Sequence, residues 1–149
     1  MILNRQRAVR LMRRPLETFL RRVQNELSLK EASVTVCLVS DAEIARMNES
    51  FRRKKGPTDV LSFPSAARRR PGSLPAASNK MKESEFLGDI AIAPATARRY
   101  ARKNGRTLPS ELRVLILHGV LHLMGYDHET DRGEMDRVEL KLRKRFGLA

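Results

Sequence analysis

The sequence predicts an α/β (α+β) fold in which helices alternate with four short strands. Short β-branched or alternating segments, typical of strands, are interleaved with segments whose apolar residues recur at helical spacing. Between Leu112 and Met124 the only charge is Arg113, and the segment is apolar on all sides, which indicates a buried central helix. The 149 residues suffice for one core, so we expect a single domain over residues 1–149.

The first part of the chain predicts two strands and two helices. Ile2 and Leu3 fit a short edge strand, and apolar spacing predicts a helix over about residues 14–27. The alternating, β-branched residues 33–39 predict a second strand. Asp41 is a good N-cap residue, so a short helix is expected from there to about Ser50.

Two further strands enclose the least regular part of the chain. Residues 58–64 predict a strand that ends at Pro64, because proline cannot donate to a β-ladder. Residues 65–85 combine prolines and an Arg-rich run with few apolar side chains, a composition typical of a flexible loop. Residues 86–93, which read F-L-G-D-I-A-I-A, then predict the fourth strand.

The remaining segments are expected to be helical. Pro94 begins a helix that reaches about Lys103, and Thr107 begins the central apolar helix. From Glu129 onward, apolar residues at helical spacing predict a last helix, with basic residues gathered near its C-terminal end.

The chain is strongly basic, with 30 Lys and Arg residues against 17 Asp and Glu and a formal net charge of +13. A protein this basic is expected to bind a polyanion, with nucleic acid the first candidate and an anionic membrane surface the second. Basic residues cluster in the loop from Arg52 to Lys55 and in the segment from Arg98 to Arg106, which contains no acidic residue. An Arg-rich proteome and ordinary solvated faces are the alternative explanation of this charge.

The single cysteine excludes an internal disulfide and is typical of a reducing compartment such as the cytoplasm. Cys37 lies in an apolar run, where a buried, unreactive thiol is expected. No stretch of about 18 apolar residues occurs, so no membrane-spanning helix is expected. The Arg-rich N-terminus does not resemble a secretory signal, although its composition leaves an amphipathic transit peptide open.

All three histidines fall in the segment from His118 to His128, which reads H-G-V-L-H-L-M-G-Y-D-H. His118 and His122 are spaced i, i+4 and therefore share one face of the central helix. Gly125 can end that helix in a left-handed conformation, so that the chain turns back and brings His128 toward the pair. Three imidazoles arranged in this way would form an open zinc site, with the fourth position left for water or substrate.

The alternative for the histidine pair is a packed, hydrogen-bonded role, and the third histidine and the glycine favour the metal site over it. The spacing H-x3-H-x5-H is that of the metzincin peptidases, in which a glutamate follows the first histidine as general base. Gly119 occupies that position in this chain. The segment therefore predicts a zinc hydrolase but argues against ordinary peptide hydrolysis.

Three motifs resemble those of the YbeY family of bacterial rRNA maturation factors, described as metal-dependent single-strand endoribonucleases. The first is the histidine segment. The other two precede it in family order: Phe51-Arg52 followed by P-T-D-V-L-S-F-P at residues 57–64, and L-G-D-I at residues 87–90. Lys55 departs from the family pattern, where an aspartate is common, and the loop between the two strand motifs is unusually rich in arginine.

The resemblance implies a small mixed sheet flanked by helices, with the metal-carrying helix across it. It implies one zinc ion bound by His118, His122 and His128 plus a water, and a cavity arginine tied to activity at Arg52. The implied function is zinc-dependent cleavage of single-stranded RNA in rRNA processing and ribosome quality control, with rRNA and ribosomal particles as partners. In that role Arg52 would bind a phosphate oxygen through its fork of donors.

The general base and the rival functions stay open. Asp127 and Asp89 are candidate bases by position, but Asp127 could equally orient His128 or cap the last turn, and zinc hydroxide could act alone. One rival is a non-catalytic rRNA-binding or ribosome-binding assembly factor with a structural metal; its closed site would need a carboxylate ligand, because Cys37 is distant in sequence. A second rival is a zinc hydrolase of another substrate. With five Phe, two Tyr and no Trp, little base stacking is expected, and the sequence predicts no oligomeric state.

Overall fold

The structure is a computed structural model that describes residues 1–65, 86–127 and 129–148. These ranges contain four strands, β1 (Ile2–Asn4), β2 (Ser33–Leu38), β3 (Val60–Pro64) and β4 (Phe86–Ile92). They also contain five helices, α1 (Arg13–Glu26), α2 (Asp41–Arg52), α3 (Pro94–Lys103), α4 (Leu108–Leu123) and α5 (Glu134–Arg145). The loop predicted at residues 65–85 lies outside the described residues from residue 66 onward, and His128 lies outside them as well.

The strands form one mixed sheet in the order β1-β2-β4-β3. β1 and β4 both pair with β2 in parallel, so that Val36 lies between Ile2 and Ile90 at the centre of the sheet. β3 runs antiparallel to β4 along the opposite edge. The mixed four-stranded sheet implied by the sequence motifs is therefore confirmed, with strand ends within two residues of those predicted.

Helix α4 lies across one face of the sheet and is the centre of the larger core cluster. Its side chains Ile116, Leu117 and Leu121 are fully buried, and α1, α3 and α5 pack around it. A smaller cluster on the other face includes Ile44 of α2 and Leu61 of β3. The predicted buried central helix is confirmed, and none of the helices in the described ranges is both long and apolar enough to span a membrane.

Two glycines allow α4 to approach the sheet closely. A Cβ atom at Gly119 would lie 2.8 to 3.1 Å from the side-chain carbons of Ile90 in β4. At Gly88, where φ is +150°, a Cβ atom would lie 2.5 Å from the carbonyl oxygen of Phe63 and 2.7 Å from Leu123 of α4. Because Ile90 is fully buried, the residue that follows His118 has no room for a side chain.

The start of α2 differs by one residue from the prediction. Ser40, not Asp41, is the N-cap, and its hydroxyl oxygen accepts a hydrogen bond from the Glu43 amide at 3.1 Å. The Asp41 carboxylate instead accepts hydrogen bonds from the Thr96 hydroxyl at 2.7 Å and from Arg99 at 2.9 Å, which ties α2 to α3. Burial would raise the pKa of Asp41, but these hydrogen bonds and the Arg99 charge outweigh it and lower that pKa.

The last helix begins later than predicted. Residues 129–133, expected to be helical, form turns, and α5 starts at Glu134. Asp131 explains the difference, because its carboxylate accepts hydrogen bonds from the Gly133 amide at 2.8 Å and the Met135 amide at 2.9 Å. Gly133 has a φ of 92°, a left-handed conformation that does not continue a helix.

Candidate active site

A cleft of about 650 Å³ opens where α4, β3 and the end of α2 meet the turn after α4. His118 and His122 line it from α4, and Arg52 lines it from the last turn of α2. Asp127 and Glu129, in the turn after α4, form another wall of the cleft. The fold thus brings together in one cleft two motifs that are far apart in sequence.

The helix that carries the histidines ends as the sequence predicted. Gly125 adopts a φ of 102°, and its amide donates a hydrogen bond to the His122 carbonyl at 3.0 Å. The Tyr126 amide reaches back to the Leu121 carbonyl at 3.1 Å, so that backbone carbonyls of the last turn are satisfied. The chain leaves α4 in a tight turn immediately after the second histidine.

The described histidines converge on one point. Nε2 of His118 and Nε2 of His122 are 3.0 Å apart, and the ring centroids are 4.5 Å apart with an interplanar angle of 79°. With Zn–N bonds of about 2.0–2.1 Å, two ligand nitrogens of a tetrahedral zinc site lie roughly 3.3 Å apart, so the pair fits a shared ion. Within the described ranges no three His, Cys, Asp or Glu side chains form a metal-holding group, and the third predicted ligand, His128, lies outside those ranges.

Glu139 of α5 orients the ring of His118 through Nδ1, the ring nitrogen that does not face His122. Its Oε1 lies 2.8 Å from His118 Nδ1, and because a carboxylate only accepts, Nδ1 carries the donated hydrogen. That tautomer directs the Nε2 lone pair toward His122 Nε2, as in the carboxylate–histidine arrangements common behind metal ligands. Burial would raise the pKa of Glu139, but the hydrogen bond and charge of His118, together with Arg143, lower it.

Sequence reasoning did not identify Glu139, although the sequence contains a signal for it. The residue follows Met135 by four positions and precedes Leu142 by three, so it falls on the inward face of α5. A carboxylate on a buried face needs a partner, and its side chain is only 12% exposed. The partner is a histidine from another helix, which sequence spacing alone does not reveal.

We expect removal of the Glu139 carboxylate to weaken metal binding. Glu139→Gln keeps an acceptor but loses the charge, so we expect the affinity for the predicted zinc ion to fall about tenfold, and about 100-fold for Glu139→Ala. Competition with a chelating dye measures the affinity. Asp136→Asn, at an exposed position of the same helix, is the matched control and should leave it unchanged. Equal zinc affinities in all these variants would contradict the positioning role of Glu139.

Arg52 is the last residue of α2, and the chain turns away after it because Arg53 adopts a left-handed conformation with φ of 54°. Its Nη2 atom lies 3.6 Å from Oε1 of Glu129, across the cleft mouth. The two side chains are 45% and 62% exposed, so this ion pair is weak. An incoming phosphate can therefore compete with Glu129 for the guanidinium.

The two predicted candidates for a general base differ in position. Asp127 lines the cleft, but its carboxylate accepts a hydrogen bond from the Glu129 amide at 2.9 Å, which fits the capping alternative. Consecutive side chains in β4 point to opposite faces of the sheet. Ile90 contacts α4 at Gly119, so Asp89 faces the other side of the sheet. Burial raises the pKa of its carboxyl group, and Asp89 is not among the residues that line the cleft.

Cys37 also lies away from the histidines. It packs half-buried against the smaller core cluster, on the sheet face opposite α4. Burial foremost, and then the negative charge of Asp89, raises the pKa of the Cys37 thiol. The thiol therefore stays protonated at neutral pH, although Cys37 is half-buried and not fully buried as expected. It lies on the sheet face opposite α4 and its histidines.

The two predicted basic clusters are not equivalent. Residues 52–55 are exposed beside the cleft. In the second cluster, Arg99 pairs with Asp41 at 2.9 Å and Arg106 pairs with the buried Glu111 at 3.1 Å. The segment itself contains no acidic residue, so the acids that pair with it come from other parts of the chain. Part of this positive charge stabilises contacts with α2 and α4.

Comparison with known proteins identifies the family. A model of the endoribonuclease YbeY family matches residues 1–147. Endoribonuclease YbeY of Solibacter usitatus is 43% identical over 143 residues, 95% of this chain and 85% of that protein, and that of Koribacter versatilis is 38% identical over 148 residues, 99% and 86% respectively. The solution structure of TM1509 from Thermotoga maritima has a TM-score of 0.58 and 31% identity, and the match covers 99% of this chain and 90% of that chain. The chain belongs to the endoribonuclease YbeY family, a family of metalloenzymes, which confirms the α/β fold class and the endoribonuclease function in rRNA processing that the motifs predicted.

Proposed function

We propose that this chain uses one zinc ion to cleave single-stranded rRNA in ribosomal particles, in the cytoplasm. The convergence of His118 Nε2 and His122 Nε2 in the cleft that also contains Arg52 carries the proposal. His128 is the proposed third ligand, since it follows the left-handed turn at Gly125, which is expected to bring the chain back toward the pair. Three imidazoles leave one position for a reactant, as a catalytic site requires.

The proposed roles follow from the positions of the side chains. Zinc in a three-histidine site supplies an acidified water and a Lewis acid for the phosphodiester. Glu139 keeps the proton of His118 on Nδ1, so that Nε2 faces the cleft. Arg52 binds a non-bridging phosphate oxygen in place of Glu129 and offsets the negative charge that gathers during cleavage. The exposed residues 53–55 neutralise phosphates further along the strand.

The cleft favours this function over a docking factor with a structural metal. A closed site needs a fourth protein ligand, and Cys37 lies on the other face of the sheet. The described cleft carboxylates already have partners: Asp59 accepts a hydrogen bond from the Thr58 hydroxyl at 3.4 Å, Asp127 accepts one within its own turn, and Glu129 pairs with Arg52. These contacts support a site that keeps one position for substrate.

Metal analysis together with cleavage assays of Arg52→Ala tests the proposal. The wild type should contain one zinc per chain and cleave a single-stranded RNA, and Arg52→Ala should cleave it about 10²- to 10³-fold more slowly with the same zinc content. Arg53→Ala is the matched control. Its side chain does not line the cleft, so the variant should lose a little affinity, lower the salt dependence of binding and keep the cleavage rate.

Two outcomes would contradict the proposal in different ways. RNA binding without cleavage, at one zinc per chain, would favour the docking factor. A wild-type cleavage rate in Arg52→Ala would exclude the arginine from the reaction while leaving the metal site in place.

A further inference from the structure

One aromatic side chain at the cleft is exposed without an evident structural need. Phe51 precedes Arg52 on the last turn of α2, lines the cleft and is 64% exposed. A single exposed apolar residue is ordinary in a soluble protein. Its position beside the proposed phosphate-binding arginine is what calls for an explanation.

The Phe51 ring is held in place by a second aromatic ring. Its centroid is 4.9 Å from that of Phe63 on β3, with an interplanar angle of 67°, an edge-to-face arrangement that is favourable for aromatic pairs. Phe63 is itself partly buried against the smaller core cluster. In an edge-to-face pair at most one face of Phe51 is occupied by Phe63, so a flat ring face stays available at the cleft.

The surroundings of Phe51 favour a nucleic acid over an apolar protein partner. Arg52 lies in the same cleft, and the exposed residues 53–55 add three more positive charges. Cations next to an accessible aromatic face are typical of surfaces that bind single-stranded nucleic acid, where phosphates meet the cations and bases stack on the ring. A base in a duplex has both faces covered by its neighbours, whereas an unpaired base can stack on a protein ring.

We infer that Phe51, supported by Phe63, stacks on one unpaired base of the RNA next to the phosphate held by Arg52. This inference rests on the proposed function and adds a second contact that positions the strand and favours unpaired RNA. It also revises the expectation of little stacking, because one well-placed ring suffices. Stacking accepts any base, so the contact selects single strands without selecting a sequence.

The test combines protein variants with RNA that lacks one base. Binding of a labelled single-stranded RNA is titrated at low temperature, with the zinc-loaded protein and with the RNA checked for integrity afterwards. Phe51→Ala should weaken binding roughly 5- to 100-fold, and Phe51→Trp should restore it. Phe86→Ala is the matched control, since Phe86 is 45% exposed but does not line the cleft, and it should bind as wild type does.

A series of RNAs, each with an abasic site at a different position, then identifies the stacked base. For one abasic RNA, the wild type should bind as weakly as Phe51→Ala binds the intact RNA. Phe51→Ala should bind that abasic RNA no more weakly than it binds the intact RNA. Such non-additivity would not follow from a structural role of the ring. Wild-type affinity in Phe51→Ala, or fully additive losses, would overturn the inference. These outcomes concern binding and are read independently of cleavage, which tests the proposed function.

Discussion

We expect His122→Ala to lose bound zinc and to cleave RNA at least about 10³-fold more slowly than the wild type. The substitution removes one of two nitrogens that lie 3.0 Å apart in the cleft. A catalytic metal contributes several kcal/mol to stabilisation of the transition state, and each 1.4 kcal/mol corresponds to about tenfold in rate. Zinc content and single-turnover cleavage of a single-stranded RNA measure the two effects.

The companion variant His118→Ala should have the same effect on zinc and cleavage but should also lower the stability of the zinc-free protein. His118 is the hydrogen-bond partner of Glu139, whose side chain is only 12% exposed. Without the imidazole, that carboxylate loses its hydrogen-bond partner and keeps a long ion pair with Arg143, at 3.8 Å. Leaving a buried polar group poorly paired costs about 1–3 kcal/mol, so His118→Ala should unfold at lower denaturant than His122→Ala.

Asp127→Asn is the control that separates metal loss from other damage to the cleft. Asparagine retains the side-chain oxygen that accepts the Glu129 amide, so the turn should survive. Full zinc content with a modest change in rate would agree with a capping role. If His122→Ala kept its zinc and its activity, the pair would be a packed, hydrogen-bonded one, and the metal proposal would be wrong.

Binary patterning predicted most of the fold because the strands and the central helix have local signals. Alternating residues in β2 correspond to alternating burial, whereas the apolar runs around Leu117 and in β4 correspond to burial of nearly every residue. Features that depend on contacts between distant segments were not predicted. The late start of α5 depends on the side chain of Asp131, and the pairing of Arg106 depends on the buried Glu111. Spacing along one segment carries no information about such partners.

In the candidate site, too, some features could be predicted from the sequence and others could not. The i, i+4 spacing of His118 and His122 and the left-handed Gly125 were predictable, because both follow from helix geometry. The contact of Glu139 with His118 and the stacking role inferred for Phe51 were missed, since each depends on a neighbour on another element. Sequence therefore predicts the residues of a local motif well and the residues that support them poorly.

Gly119→Glu is expected to have the largest effect on folding. The variant restores the glutamate that follows the first histidine in the metzincin peptidases, yet a Cβ atom at this position would lie 2.8 Å from Cδ1 and 2.9 Å from Cγ2 of Ile90. The new carboxylate would be forced between α4 and β4, where Ile90 is fully buried. An unpaired buried charge costs about 3–5 kcal/mol and overpacking about 1–3 kcal/mol more, which together approach the roughly 5–15 kcal/mol stability of an ordinary domain, so little folded protein should remain.

Milder variants show whether packing against Ile90 is the cause. Gly119→Ala should lower the free energy of unfolding by about 1–3 kcal/mol, because overpacking outweighs the roughly 1 kcal/mol by which alanine favours a helix. Ile90→Val removes Cδ1, the atom nearest to the added Cβ. Its cost in free energy of unfolding should therefore be smaller in the Gly119→Ala background than in the wild type, and it should even restore part of the stability. Denaturant unfolding of the wild type, the two single variants and the double variant measures the coupling energy between positions 90 and 119. If Gly119→Glu instead folded with wild-type stability, close packing would not explain why this position is a glycine. The expected loss of stability would mean that no general base can stand here because α4 lies so close to the sheet.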